Sequence, residues 1–262
     1  KLSLLLKVLE GESQQSLGRQ RRLLHERALP DLGNNIKCGN SLIGPDFYDG
    51  QQMSLLDDDE RLRINVFDWH AEFPAIMKAG GFDAVIGNPP YDVLEKERGA
   101  ASWPHNVLSD YCRKKSVYEN ALGGKLNLFR FFVVAATMLA KRGARFGMIV
   151  PLAILGDISC AKSRRHLFTR LNDLEADCFP QKDNANRRVF LNAKLSTTIL
   201  TGSVADNVQE TTAGIHTRIY PWNTLSDKPR ENVVQIVDTK TLDSENMPVP
   251  LTDSRNWALC LK

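Results

Sequence analysis

The chain has 262 residues, 42% hydrophobic and 25% charged, with a formal net charge of +3. That is enough chain for one large domain, and the apolar content is ordinary for a globular protein. The small excess of positive charge permits nucleic-acid binding without indicating it, and no apolar run is long enough to span a bilayer. Five scattered cysteines, Cys38, Cys112, Cys160, Cys178 and Cys260, show no CxxC spacing. They read as small buried thiols of a cytoplasmic protein rather than a disulfide framework or a zinc site, and no metal is expected.

In chain order, the apolar residues Leu4, Leu5, Val8, Leu9, Leu23 and Leu24 predict helices over residues 1–29 with a polar break. Lys1–Leu6 is too short and too soon followed by charge for a signal peptide, and the missing initiator Met suggests a piece of a longer protein. Residues 36–44 read as a short strand running into a polar turn, and Asp57–Glu60 as a solvated acidic loop. Phe67–His70 and Phe73–Met77 lead through Gly80 and Gly81 into an apolar strand at 82–86, expected to be buried. Residues 92–125 read as a polar, irregular segment with one short helix.

Leu128, Phe131, Phe132, Ala135, Ala136 and Leu139 recur at helical spacing and predict a helix over 126–141, ended by Arg142-Gly143. A strand at 145–150 is closed by Pro151, a basic helix spans 161–171, and strands follow at 174–179 and 195–201. Lys162, Arg164, Arg165, His166 and Arg170 crowd that helix, and Lys182, Arg187 and Arg188 follow; they suit DNA phosphates or, equally, a solvated face. Alternating strands and helices predict an α/β fold with a mostly parallel sheet and helices on both faces. Ligands of such sheets bind at the carboxyl ends of strands, where Asn40, Asn88 and Pro151 would lie. Beyond residue 203 polar residues and prolines dominate, with short β-like runs at 215–220 and 233–237.

The most informative stretch is Phe82-Asp83-Ala84-Val85-Ile86-Gly87-Asn88-Pro89-Pro90-Tyr91. An apolar strand stops in a loop that two prolines stiffen and strip of N–H donors. The Asn88 side-chain carbonyl and the Pro89 backbone carbonyl are two acceptors that can grip both hydrogens of a planar exocyclic amine. Such acceptors localise a nitrogen lone pair that is otherwise delocalised into a ring, and stabilise the charge that develops as the nitrogen attacks. Tyr91 can stack on the planar ring that bears such an amine, a contact of roughly 1–3 kcal/mol where the ring is a nucleobase. The plain alternative is a proline turn with a core tyrosine.

An Asn-Pro-Pro-Tyr loop after an apolar strand resembles the motif of S-adenosylmethionine-dependent amino-methyltransferases, nearest to the DNA adenine-N6 enzymes of large restriction–modification systems. The resemblance spans about residues 1–202. It extends to Ile36–Leu42, Lys125–Phe132, Phe146–Pro151 and Phe179-Pro180-Gln181-Lys182. It implies a Rossmann-like methyltransferase domain over 1–202 and a linker or the start of a target-recognition region over 203–262. It further implies catalytic roles for Asn88, Pro89, Pro90 and Tyr91, and cofactor contacts at Asn40, Ser41 and Leu42. Asn40 stands where an acidic residue is frequent. Phe179 would be the second wall of the base pocket and Lys182 a phosphate contact.

The implied cofactor is S-adenosylmethionine, yet the family's glycine-containing cofactor loop and the acidic residue that follows are not found. The chain is therefore expected to be N-terminally incomplete, to bind the cofactor weakly or not at all, and to be inactive alone. Implied partners are double-stranded DNA and the rest of a parent polypeptide, with its cofactor-binding part, target-recognition domain and in some relatives a nuclease. Methylation of protein glutamine or RNA guanine, and a non-catalytic DNA-recognition or scaffold role, are the competing readings.

Overall fold

The computed structural model describes residues 33–49, 58–94, 103–206, 214–225, 228–235 and 249. The helices expected over 1–29 lie outside them. Two compact units divide the chain, 1–39 and 40–262, and all that follows concerns the second.

Six helices and six strands are described: α1 (Asp58–Ile64), α2 (Trp69–Glu72), α3 (Pro74–Lys78), β1 (Phe82–Gly87), α4 (Trp103–Lys114), α5 (Leu128–Leu139), β2 (Ala140–Pro151), α6 (Ala161–Arg170), β3 (Leu171–Phe179), β4 (Thr197–Val204), β5 (Gly214–Ile219) and β6 (Arg230–Gln235). The strands form one sheet in the order β1-β2-β4-β3-β5-β6. Strands β1 and β2 pair in parallel, as do β3 and β5. The β2–β4, β3–β4 and β5–β6 pairs are antiparallel. The sheet is thus mixed, not mostly parallel, because β4 returns as a hairpin partner between β2 and β3 instead of crossing over a helix. Strands β5 and β6 extend the same sheet, so the sheet does not end at the boundary expected at residue 202.

Helix α5 is apolar around most of its girth because it serves two cores. Phe129, Val133 and Ala136 face the sheet, against Phe146, Met148, Val150 and Leu200, where Leu167 and Phe168 of α6 join them. Leu128, Phe131 and Val134 face a second core with Leu42, Leu94, Cys112, Tyr118 and Ala121. Within the 92–125 segment, expected to be an irregular loop over the site with one short helix, residues 103–121 are a helix and a 3₁₀ turn that join that core. Helix α5 runs directly into β2 at Ala140, so the break expected at Arg142-Gly143 falls within the strand. Gly81 makes the tight entry to β1: its φ is +124°, and a Cβ there would stand 2.4 Å from the Leu139 carbonyl oxygen.

The opposite face of the sheet is open at its β1 end. A Cβ on Gly147 would stand 3.4 Å from Ile86 and 4.0 Å from Thr201, which places the three on that face. Ile86 is 83% exposed. Among the described residues the expected helical cover on both faces is found on one, and β1 is an edge strand rather than a buried one. The 36–44 strand is likewise reduced to a single parallel bridge between Asn40 and Val66. Asp58, Asp59 and Glu60, read as loop, form the first turn of α1, where acidic side chains favour the helix dipole.

Candidate active site

Strands β1, β2, β3 and β5 point the same way, so their carboxyl ends lie along one edge of the sheet. That edge collects Asn88–Tyr91, Pro151, the 180–196 loop and Tyr220–Leu225. Asn88 and Pro90 are exposed and Pro89 is buried. All three line a cavity of about 260 Å³ with Ser41, Trp69, Val85, Phe132, Ala136 and Met148. Asn88 thus lines a crevice at the carboxyl edge of the sheet.

The loop is held on both sides. The Asp92 carbonyl accepts from the Leu128 N–H at 2.9 Å, and the Leu94 N–H donates to the Leu126 carbonyl at 2.7 Å. Tyr91 is half-buried, and its hydroxyl donates to the Ile149 carbonyl at 3.0 Å. Burial pushes its pKa up to about 12, so the phenol keeps its proton and that bond at any physiological pH. Its ring meets Phe129 and Phe190 edge-on, at 6.5 and 6.2 Å between centroids.

The sequence-expected residues divide in two. Ser41 reaches the cavity, and its carbonyl accepts from the Trp69 indole N–H at 3.2 Å. Asn40 turns its side-chain oxygen to the Leu42 N–H at 3.2 Å, which caps its own turn. Leu42 is buried in the second core and does not line the cavity. Phe179 is 4% exposed and stacks on Tyr220 at 5.2 Å. Lys182 is exposed at the start of the 180–196 loop.

Two aromatic residues were missed. Phe190 is the ring the structure brings to Tyr91; its trace in the sequence is the apolar run Val189-Phe190-Leu191 inside a basic loop. Trp69 is the indole at the cavity, held by Phe67, Phe73 and Phe82 at 4.7, 6.0 and 5.8 Å between centroids.

Of the five basic side chains of α6 expected to face DNA or solvent, Arg164 and His166 are buried, while Lys162 is exposed. Arg164 is buried and donates to the carbonyls of Ile154 and Asp157 at 3.0 and 2.6 Å. His166 is buried against Thr137, and Arg170 donates to the Thr137 carbonyl. These side chains close helix ends and loops because carbonyls without partners inside the fold demand donors.

Known proteins bear on this geometry. The family described as Eco57I restriction-modification methylase matches residues 1–176. The chain belongs to that family. It is 28% identical over 165 residues to the type II restriction enzyme and methyltransferase RM.Eco57I of Escherichia coli, covering 63% of this chain and 14% of that protein. It is 30% identical over 98 residues to the type II methyltransferase M.TthHB8I of Thermus thermophilus, covering 36% of this chain and 22% of that one. The chain thus spans less than a quarter of either relative.

A cryo-EM structure of a DrdV–DNA complex superposes with a TM-score of 0.50 at 12% identity, over 92% of this chain and 23% of that one, a likeness of fold. Membership in the Eco57I methylase family covers β1, the Asn88–Tyr91 loop, α5 and β2, the elements that build the cavity. Among the described residues no helix is long and apolar enough to cross a membrane.

Proposed function

We propose that this chain is the catalytic-loop part of a DNA adenine-N6 methyltransferase of a restriction–modification enzyme. The observation that carries the reading is Asn88, exposed at the carboxyl end of β1 and lining a cavity with Pro89 and Pro90. A flipped adenine offers its N6 amine to the Asn88 side-chain carbonyl and the Pro89 backbone carbonyl. These acceptors draw the nitrogen towards tetrahedral geometry and stabilise the positive charge it gains as it attacks a methyl carbon. The proton it then loses passes to solvent water, which reaches the exposed Asn88. Tyr91, anchored through Ile149, supplies one aromatic wall of the base pocket and Phe190 another. Phe179, engaged with Tyr220, supports the strand end rather than the base.

S-adenosylmethionine supplies the methyl group when bound. The cavity fits the flat part of that cofactor: Trp69, Phe132, Pro89 and Pro90 offer apolar faces, and Ser41 adds a polar rim. Its charged methionine end calls for a glycine loop carried elsewhere on a longer polypeptide, in keeping with the greater length of the relatives. Asn40 and Leu42 act on this reading by shaping the turn that presents Ser41.

The test is methyl transfer by the complete protein to DNA, RNA and protein acceptors, with and without Asn88→Ala. The expected outcome is N6-methyladenine in DNA, reduced on the order of 10²-fold or more by the substitution, as for loss of one preorganised polar contact to the transition state. Methylation of RNA guanine or protein glutamine alone would overturn the substrate, and full activity of the Asn88→Ala protein would overturn the mechanism.

A further inference from the structure

The loop between β3 and β4, residues 180–196, is the most basic stretch of the carboxyl edge. It carries Lys182, Arg187, Arg188 and Lys194 against the single acid Asp183, so it holds as much net charge as the whole chain. Among the described residues, only Lys194 has a carboxylate partner there, Asp183 at 3.2 Å. The nearby carboxylates of β3 are already compensated: Arg218 bonds Asp177 at 2.5 Å and Glu175 at 2.7 Å. Lys182 is exposed to solvent, and Arg187 and Arg188 are half-exposed.

The loop is also built. Arg188 donates to the Lys182 carbonyl at 2.5 Å, and the Asn223 amide donates to the Arg188 carbonyl at 3.0 Å. The Ser196 hydroxyl closes the base of the loop onto the Pro180 carbonyl at 2.8 Å, and Phe190 ties it to Tyr91. Arg187 lies with its guanidinium 4.1 Å from the ring centroid of Trp222. Its Nε is buried without a hydrogen-bond partner among the described residues, while Trp222 is 44% exposed. Tyr220–Leu225, which presents that indole, carries no charge. A stacked arginine has its planar fork preset, and an exposed indole beside it can take an apolar sugar or base face.

We infer that residues 180–196 together with Trp222 form a ridge that binds the DNA phosphate backbone beside the extracted base, with Lys182 and Arg187 as the phosphate contacts. The inference rests on the proposed DNA substrate. A fixed cationic ridge next to the amine clamp sets the register of the duplex, so the base leaving the stack meets Asn88. It also supplies affinity where overall charge gives little, because each phosphate contact releases counterions.

The experiment is fluorescence anisotropy of a labelled DNA duplex with the full chain across a range of salt. Lys182→Gln and Arg187→Gln are expected each to weaken binding several-fold and to lower the salt slope by about one unit. Arg187→Lys should keep the slope and lose affinity, since it keeps the charge without the planar stack. Lys141→Gln, at the opposite edge of the sheet, should change neither. Lys182 is exposed, so its replacement leaves the fold intact even if an Arg187 variant unfolds.

Unchanged slopes in the two glutamine variants, no binding by the unsubstituted chain at low salt, or binding of an RNA hairpin in place of DNA would each overturn the ridge. Methyl transfer to DNA that depends on Asn88 while the slopes stay unchanged would separate a failed ridge from a failed functional assignment.

Discussion

Tyr91 and Phe190 show how one ring can serve both fold and site. The Tyr91 hydroxyl is spent on the Ile149 carbonyl, so only its ring face and edge remain for a substrate. Phe190 stands against it from a loop 99 positions further along the chain. If the two wall a base, losing either ring removes stacking of roughly 1–3 kcal/mol, a fall in kcat/KM of about five- to 150-fold. Phe190→Ala in the complete protein is therefore expected to lower kcat/KM for DNA by about that much, while Phe190→Tyr preserves it. Steady-state methyl transfer measures both, and an unchanged Phe190→Ala protein would remove Phe190 from the pocket. The Asn-Pro-Pro-Tyr loop was legible because its stiffness and its acceptors are local properties of four consecutive residues. Phe190 was not, since its approach depends on where β4 pairs, and that register is set by the whole sheet.

At the scale of elements, the helical period of α5 and the strand around 82–87 could be read directly, but the direction of cations could not. Arg130 of α5 is fully buried, with its guanidinium on the carbonyls of Gly123, Lys125 and Ser159. Periodicity counts an arginine as polar and therefore outward; only the loops it closes reveal that it points in. Gly123 belongs to the same device, for a Cβ there would stand 2.6 Å from the Ser159 carbonyl.

His166 lies between α5 and α6, with its Nε2 2.7 Å from the Thr137 hydroxyl and its Nδ1 3.4 Å from the Asn120 amide. Burial first, and the Arg170 cation second, push its pKa down to about 4. A base whose folded pKa is depressed takes up protons more readily when unfolded. Stability is therefore whole above the unfolded value of about 6.5 and falls as the pH drops from there to about 4, where it levels off. The full effect is of order 3 kcal/mol at most. Urea unfolding between pH 7 and pH 4 should show that loss, and His166→Gln should flatten the part of it that falls above pH 4.

Across the whole molecule, the sheet has two unlike faces. Phe146, Met148 and Val150 point into the core under α5 and α6, whereas Gly147 and Ile149 alternate to the other side beside Ile86 and Thr201. Alternation of this kind was visible in the sequence as apolar strands, but not which side would be covered, because all these residues are hydrophobic or small. The exposures decide it: Met148 is 5% and Ile86 83% exposed. A Met148→Thr substitution removes buried methylenes and opens a void in the core, so it should cost at least about 2 kcal/mol. Ile86→Thr keeps the β-branch at a site already in water and should stay within about 0.5 kcal/mol. Urea denaturation of the chain compares the two directly. Equal losses would mean that the Ile86 face is covered in solution; a large difference would mean that the chain folds around one core face and leaves β1, with the amine clamp at its end, on an open edge.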